Sequence, residues 1–201
     1  MLSLALWLLA SPPAPPESEA SAPRYALELE LPRQVEVLGL GTVPIEVRAR
    51  YLLRGPLHQA QTERCSLDVR SALATASTLP TAPRDAGLRL VERDGAFWSE
   101  DTSALLPPGL VSFSLKIAGL GRYEMSGETR GRLSLQGQRN GERIEGMALL
   151  MEPRDRVDLP AGLRVSLAPE ALVRGRFVLV RSAAERCDQL VDPKGGVSWV
   201  P

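Results

Sequence analysis

The chain has 201 residues, of which 44% are hydrophobic and 24% are charged. That length suffices for one packed domain, and the hydrophobic content excludes a globally disordered chain. Basic and acidic residues number 24 each, so the basic excess typical of nucleic-acid binders is missing. No polybasic run is present that would favour an anionic lipid surface. We therefore expect no nucleic-acid partner.

The N-terminus begins with an uncharged apolar run. Residues 2–10 read LSLALWLLA, a length that fits the apolar region of a signal peptide and is too short to span a bilayer. No Lys or Arg precedes this run, although signal peptides usually carry one. Cleavage is expected after Ala10 or after Ala20-Ser21-Ala22. The run predicts an exported protein, periplasmic or secreted.

The next segment, residues 11–23, is rich in Pro, Ala, Ser and Glu, a composition typical of a flexible tether. No later stretch is apolar for long enough to span a membrane. We therefore expect a signal peptide and tether over residues 1–22, a single β domain over residues 23–201, and no transmembrane segment in the mature chain.

Most of the domain alternates between apolar and polar residues, which indicates strands with one buried face. Alternating runs lie at residues 25–31, 43–53, 65–70, 111–117, 133–135, 163–167 and 173–179, with further strands expected near 88–93, 96–99, 122–129 and 143–151. In the third run, Cys65, Leu67 and Val69 should share one face. The pattern predicts an all-β fold, an antiparallel barrel or sandwich of about ten strands.

Turn residues separate these strands. Asn140-Gly141 is the strongest two-residue hairpin signal, and Asp94-Gly95 marks another turn. Residues 71–87 are rich in Ala, Thr and Pro and are expected to form a long loop. Residues 182–191 are expected to form a short C-terminal helix, since Ser182 and Glu185 have the spacing of a capping box.

The two cysteines, Cys65 and Cys187, are the whole cysteine content. An even number in an exported chain favours a disulfide, which would hold the C-terminal helix against the strand that carries Cys65. A metal site is not expected, because this wide spacing and a single histidine, His58, do not match a structural zinc site.

No catalytic motif stands out. His58 lies in a turn-like segment and has no G-x-S-x-G nucleophile motif to serve. Asp94, Glu100 and Asp101 form one acidic cluster, and Asp155 with Asp158 forms another. Both clusters are interleaved with Arg or Gly, as in solvated turns. We expect a protein that is not an enzyme and has no cofactor.

The aromatic residues that could line a β interior are Trp98, Phe113, Tyr123 and Phe177, and these are the candidate ligand-binding residues. The plan of signal peptide, antiparallel strands, late helix and long-range disulfide resembles lipocalin-like carriers. The Gly-x-Trp signature of the first lipocalin strand is absent, since Trp98 and Trp199 lie elsewhere.

Three functions are expected from these patterns, in descending order. The first is an exported, non-catalytic protein that binds an apolar small molecule or lipid inside its β fold. The second is an interaction or assembly module that binds another envelope protein through a sheet edge or face. The third is a hydrolase that uses the acidic cluster around Asp94.

Overall fold

The computed structural model describes residues 22–37, 41–72, 74–78, 84–103, 105, 109–117, 121–129, 132–151, 156–158, 164–167 and 172–190. The predicted signal peptide and tether therefore lie outside the described residues, except for Ala22. Thirteen strands run through the described residues: β1 Arg24–Val37, β2 Gly41–Arg54, β3 Ala60–Ser71, β4 Ala74–Thr78, β5 Arg84–Arg93, β6 Ala96–Asp101, β7 Gly109–Ile117, β8 Gly121–Thr129, β9 Arg132–Asn140, β10 Arg143–Met151, β11 Arg156–Asp158, β12 Arg164–Leu167 and β13 Leu172–Arg181.

Eight of these strands form a closed ring of antiparallel neighbours. Their order is β1–β2–β3–β5–β6–β9–β10–β13, and β13 pairs back onto β1. The other strands leave the ring as two ribbons, β12–β11 beside β1 and β4–β7–β8 beside β3. The all-β antiparallel prediction is confirmed. The predicted count of about ten is wrong, because the ring takes eight strands and the remaining strands only extend it.

The inside of the ring is apolar and packed. Alternate residues of each strand point inward, as the two-residue period of a strand requires. The buried inward side chains form one cluster drawn from all eight ring strands and from the segment after β6; its largest fully buried members include Leu27, Leu53, Leu88, Leu105, Leu135, Ile144, Phe177 and Leu179. Burying this apolar surface is the main force that closes the ring.

Two tight hairpins lie at the predicted Gly-containing turns. Asp94 and Gly95 both have positive φ, 52° and 79°, between β5 and β6. Between β9 and β10, Asn140 pairs with Arg143, so the loop is Gly141-Glu142, one residue later than predicted. Gly141 has φ of 63°, a conformation that glycine adopts without steric cost.

The predicted loop over residues 71–87 is wrong in part. Residues Ala74–Thr78 form β4, which pairs with β3, and β5 already begins at Arg84. The sequence pattern missed β4 because its small Ala, Ser and Thr residues show no contrast between an apolar and a polar face.

A β-bulge in β3 changes the predicted direction of Cys65. Arg50 pairs with Ser66 while the next residue, Tyr51, pairs with Arg64, so Cys65 is the extra, unpaired residue. Such an insertion re-aims a side chain relative to its neighbours. Leu67 packs against the ring core, whereas Cys65 faces out of the ring. The prediction that the two residues share a face is therefore wrong.

The predicted disulfide is confirmed, since Cys65 and Cys187 are bonded. Around it lies a small apolar cluster on the outside of the ring, which we call the disulfide patch; it comprises Leu52, Cys65 and Cys187 with Ala184 and Leu190 packed against them. The C-terminal segment thus covers an outward apolar surface of β2 and β3.

The predicted C-terminal helix is wrong. Residues 182–186 are not helical, and only a 3₁₀ turn, Cys187–Gln189, is present. Ser182 Oγ accepts the N–H of Ala184, and Gln189 Oε1 accepts the N–H groups of Glu185 and Arg186. These side-chain acceptors satisfy the backbone donors locally, an alternative to helix formation that Ser often provides.

Candidate functional site

Of the four predicted ligand-binding aromatics, the structure describes the side chains of Phe177 and Trp98, and these two lie on opposite sides of the ring wall. Phe177 is 1% exposed in the ring core. Trp98 pairs with Val91 and Gln136 and points outward, because its neighbour Phe97 is buried inside. Phe113 and Tyr123 lie on β7 and β8, in a ribbon beside the ring, and their side chains are outside the described residues.

Gly137 makes room for the ring of Phe177, and the facing Gly146 lets β9 and β10 approach each other closely. Gly137 of β9 lies directly opposite Gly146 of β10. A Cβ atom at Gly137 would lie 2.8 Å from Cζ of Phe177, and one at Gly146 would lie 2.1 Å from the carbonyl oxygen of Gln136. These positions therefore require glycine for close approach, and Phe177 fills the space as part of the core.

A polar pair, Tyr51 with Leu105, interrupts the apolar interior. The Tyr51 hydroxyl is buried and donates a hydrogen bond to the Leu105 carbonyl oxygen at 2.5 Å. Burial raises the pKa of the Tyr51 phenol, and the nearby Arg64 guanidinium opposes part of that rise. Arg64 of β3 lies directly opposite Tyr51 of β2. Its Nε is buried and has no hydrogen-bond partner within the described chain. The alternation of apolar and polar residues in the sequence did not predict that Arg64 faces inward.

Arg64 lies where β3 changes partners. Ala60 and Thr62 pair with β5, and Leu67 and the residues after it pair with β4. In the described pairing, residues 63–66 pair with neither β4 nor β5. Arg64 is partly exposed, so its buried Nε sits beside this fork while part of the side chain reaches water.

The outside of β13, β1 and β2 carries cross-strand ion pairs, which we call the charge ladder; its members are Glu28, Glu30, Glu46, Arg48, Arg50 and Arg176. Directly opposed residues form most of its pairs. Arg48 Nη2 lies 2.9 Å from Glu30 Oε1 and 2.8 Å from Glu46 Oε1, and Arg50 Nε lies 3.7 Å from Glu28 Oε1. Opposite charges at facing positions stabilise a sheet.

Glu30 is the centre of the ladder. Its carboxylate accepts a hydrogen bond from Arg176 on one side and forms an ion pair with Arg48 on the other. The Arg176 hydrogen bond, with the nearby positive charge of Arg48, lowers the pKa of Glu30 below its ordinary value against the opposing effect of burial. Glu30 therefore stays ionised to a lower pH than a free glutamate does.

Next to the ladder a cleft of about 500 Å³ opens on the outside of the ring. Its charged lining comes from four strands and consists of Glu30, Glu46, Arg70, Arg174 and Arg176. This volume lies within the range of small-molecule sites, roughly 300–1,000 Å³. Pro32, Pro44 and Ile45 add apolar surface to the same cleft.

The cleft forms where β1 and β13 separate. Their pairing ends at Glu30 and Arg176. Pro32 has no N–H to continue a ladder, which favours separation at that point. Gly175, the first residue of β13 beyond that last pair, still allows β13 to approach β1 closely, since a Cβ atom there would lie 2.1 Å from the Glu30 carbonyl oxygen.

The arginines of the cleft differ in their partners. Arg176 is bonded to Glu30. Arg70 and Arg174 are exposed and form no ion pair with any residue that the structure describes. They come from β3 and β13, on opposite sides of β1 and β2. Two unpaired guanidinium groups on one cleft are suited to binding carboxylate or phosphate oxygens.

The described residues of the predicted hydrolytic cluster, Asp94, Glu100 and Asp101, form ordinary surface contacts. Asp94 is 94% exposed and lies 3.9 Å from Arg93, and Glu100 lies 3.8 Å from Arg89. Asp101 Oδ1 accepts the N–H of Ser103. His58 is exposed in the 3₁₀ turn Leu57–Gln59. Asp155 and the side chain of Asp158 are outside the described residues.

In the described part of the chain, no group of three or more potential metal-ligating side chains is close enough to hold an ion. No helix there is long and apolar enough to cross a bilayer. Comparison with models of known protein families, with curated proteins and with solved structures finds no significant match to this chain.

Sequence reasoning missed the cleft. Its residues are spread from Glu30 to Arg176 and become neighbours only through the pairing of β13 with β1 and of β2 with β3. The available signal was weak: arginines at outward positions of separate strands, with prolines at outward positions of β1 and β2.

Proposed function

We propose that this chain is a non-catalytic binding protein, periplasmic or secreted, that holds a ligand bearing an anionic group in the outer cleft. The observation that carries the proposal is the pair Arg70 and Arg174, which face a cleft of about 500 Å³ without an acidic partner in the described structure. An anion between them would gain charge-assisted hydrogen bonds from both guanidinium groups.

The ladder beside the cleft supports selectivity for anions. Glu30 and Glu46 line the cleft, but Arg48 and Arg176 are bonded to them. Their negative charges are therefore offset, and Arg70 with Arg174 leaves the site net positive. The prolines and Ile45 favour a ligand that also presents apolar surface.

An oxidising compartment is the setting that suits the Cys65–Cys187 bond, because reducing cytosol disfavours structural disulfides. The bond supports the periplasmic or secreted location that the apolar N-terminal run predicts.

Titration calorimetry tests the cleft. Inorganic phosphate and a dicarboxylate, succinate, are the probes. We expect binding that weakens at least about tenfold in Arg70→Gln/Arg174→Gln, a loss of about 1.4 kcal/mol or more. Arg93→Gln is the matched control, since Arg93 is an exposed arginine in a distant hairpin. Binding that is absent, or equal in the double variant and the control, contradicts the proposal.

A second candidate keeps the ligand inside the ring, which then acts as a small β-barrel; because the described interior is packed, an apolar acid would have to displace core side chains beside Arg64. Arg64 favours it, because an inward guanidinium with an unbonded, buried Nε is costly unless an anion joins it. Native mass spectrometry of the purified protein is the test. A co-purified apolar acid that Arg64→Gln loses supports this candidate, and a ligand-free protein opposes it.

A further inference from the structure

The outward face of β10 is apolar where a solvated sheet face is normally polar. Met147, Leu149 and Met151 point outward, since Ile144, Ala148 and Leu150 are buried inside the ring. Met147 is 46% exposed and Met151 is 57% exposed. We call Met147, Leu149 and Met151 the methionine stripe.

These two methionines are the exposed large hydrophobic residues of the described chain. The inward positions of β10 already carry other apolar side chains, so the two methionines are additional apolar surface on the outside of the ring. A contiguous exposed apolar stripe usually marks a contact surface. Methionine suits such a surface because its flexible thioether adapts to irregular partners.

Cationic residues border the stripe on both neighbouring strands. Met151 is paired with Arg132 of β9, and Leu149 is paired with Arg174 of β13. Both arginines are exposed and have no ion pair among the residues that the structure describes. At the other end of β10, Glu145 is neutralised by Arg143 at 2.8 Å.

We propose that the methionine stripe docks the protein on an anionic lipid surface. Its apolar side chains would enter the interface between headgroups and acyl chains, while Arg132 and Arg174 contact lipid phosphates. Apolar area combined with flanking positive charge is the combination that binds anionic membranes. The surface is assembled from β9, β10 and β13, which is why no basic run in the sequence indicates it.

The shape of this face also favours a lipid surface over an extended peptide. The stripe lies on the outer, convex side of the ring, in the middle of the paired strands β9, β10 and β13. It has no free strand edge there for an added strand. A convex face with flexible apolar side chains can insert into the deformable surface of a bilayer.

Vesicle co-sedimentation of the full chain tests this proposal. We expect binding to vesicles of phosphatidylcholine mixed with phosphatidylglycerol, and much less to phosphatidylcholine alone. Met147→Gln/Met151→Gln should weaken binding by about tenfold or more, because two apolar side chains no longer enter the interface. Met147→Leu/Met151→Leu is the matched control and should bind like the wild type.

Arg132→Gln separates this surface from the cleft, because Arg132 does not line the cleft. It should weaken vesicle binding, chiefly at low salt, and leave phosphate binding unchanged. The proposal is overturned by no vesicle binding, by equal binding to uncharged vesicles, or by binding that the glutamine pair leaves intact. A methionine-dependent dimer in analytical ultracentrifugation without lipid would instead assign the stripe to a second copy and also overturn it.

Discussion

The disulfide patch and the charge ladder are neighbours on the outside of the ring, yet they are built in opposite ways. Leu52 and Arg50 are successive outward residues of β2. Leu52 is fully buried under the C-terminal segment, next to the Cys65–Cys187 bond. Arg50 pairs across the sheet with Glu28, and the rest of the ladder runs to the cleft.

The difference lies in what each patch needs from the rest of the chain. An outward leucine has to be covered to gain from burial, and here the cover is fastened by a covalent bond. Outward charges need only opposed charges on adjacent strands, so they leave their surface open. Only the open patch has room for a ligand.

Removing the disulfide should have the largest effect. We expect Cys65→Ala/Cys187→Ala to lower the free energy of unfolding by about 2–5 kcal/mol, because the bond closes a long loop and holds the cover over Leu52. Chemical denaturation measures the change. Wild-type protein under reducing conditions should lose a similar amount. An unchanged midpoint would show that the cover holds without the bond.

The next largest loss of stability is expected when a side chain is added between β1 and β13, the strands that carry Glu30 and Arg176. Gly175→Ala places a methyl group 2.1 Å from the Glu30 carbonyl oxygen, so the backbone of β1 or β13 has to move. We expect a loss of about 1–3 kcal/mol, typical of overpacked sites, together with weaker phosphate binding in the cleft. Wild-type stability in thermal denaturation would indicate that the two strands are farther apart.

Removing one arginine from the ladder should lower the free energy of unfolding by a smaller amount. Arg48→Gln removes the partner of both Glu30 and Glu46, and we expect at most about 1 kcal/mol because the pairs are partly solvated. Arg89→Gln is the matched control. Its exposed pair with Glu100, at 3.8 Å, should contribute nothing measurable. Equal effects of the two variants in urea denaturation would contradict the expectation that the ladder stabilises the fold more than an isolated exposed ion pair does.

The ladder should also weaken in acid. The folded-state pKa of Glu30 is lowered by Arg176 and Arg48, so its contribution is complete above the pH where a free glutamate titrates. That contribution disappears as pH falls through the lowered pKa. The stability difference between wild type and Glu30→Gln should therefore shrink on acidification. A difference that stays constant down to the acid transition would contradict the assignment.

The smallest effect on stability is expected at the open arginines. Arg70→Gln/Arg174→Gln removes no ion pair of the described structure, so the free energy of unfolding should stay within about 0.5 kcal/mol. Phosphate binding should nevertheless weaken at least about tenfold. A destabilisation as large as that of Arg48→Gln would mean that these side chains serve the fold, and would weaken the case for a site.

Much of the strand content follows from alternation, and the cysteine pair follows from the even cysteine count in a chain that we expect to be exported. The bulge at Cys65 does not, because one extra residue reverses the side-chain direction without altering the local pattern of apolar residues. The closure of the ring does not follow either. Nothing in the local pattern of Glu30 indicates that its neighbour is Arg176, 146 residues away.

The candidate site was less accessible than the fold for the same reason. Aromatic residues drew attention to Trp98 and Phe177, but the structure puts them on opposite sides of the ring wall. The unpaired arginines and outward methionines became informative only once their exposure and their partners were known.

Closure through the first and last strands of the ring has a consequence during synthesis. Without β13, the other seven ring strands can form only an open sheet, whose edges are β1 and β10. Free edges invite pairing with other chains, and such non-local closure is slow. Glu28 and Glu30 on β1 are charges of the kind that protect an edge from aggregation. The same carboxylates would thus reduce aggregation of the nascent chain before they form the ion pairs of the ladder.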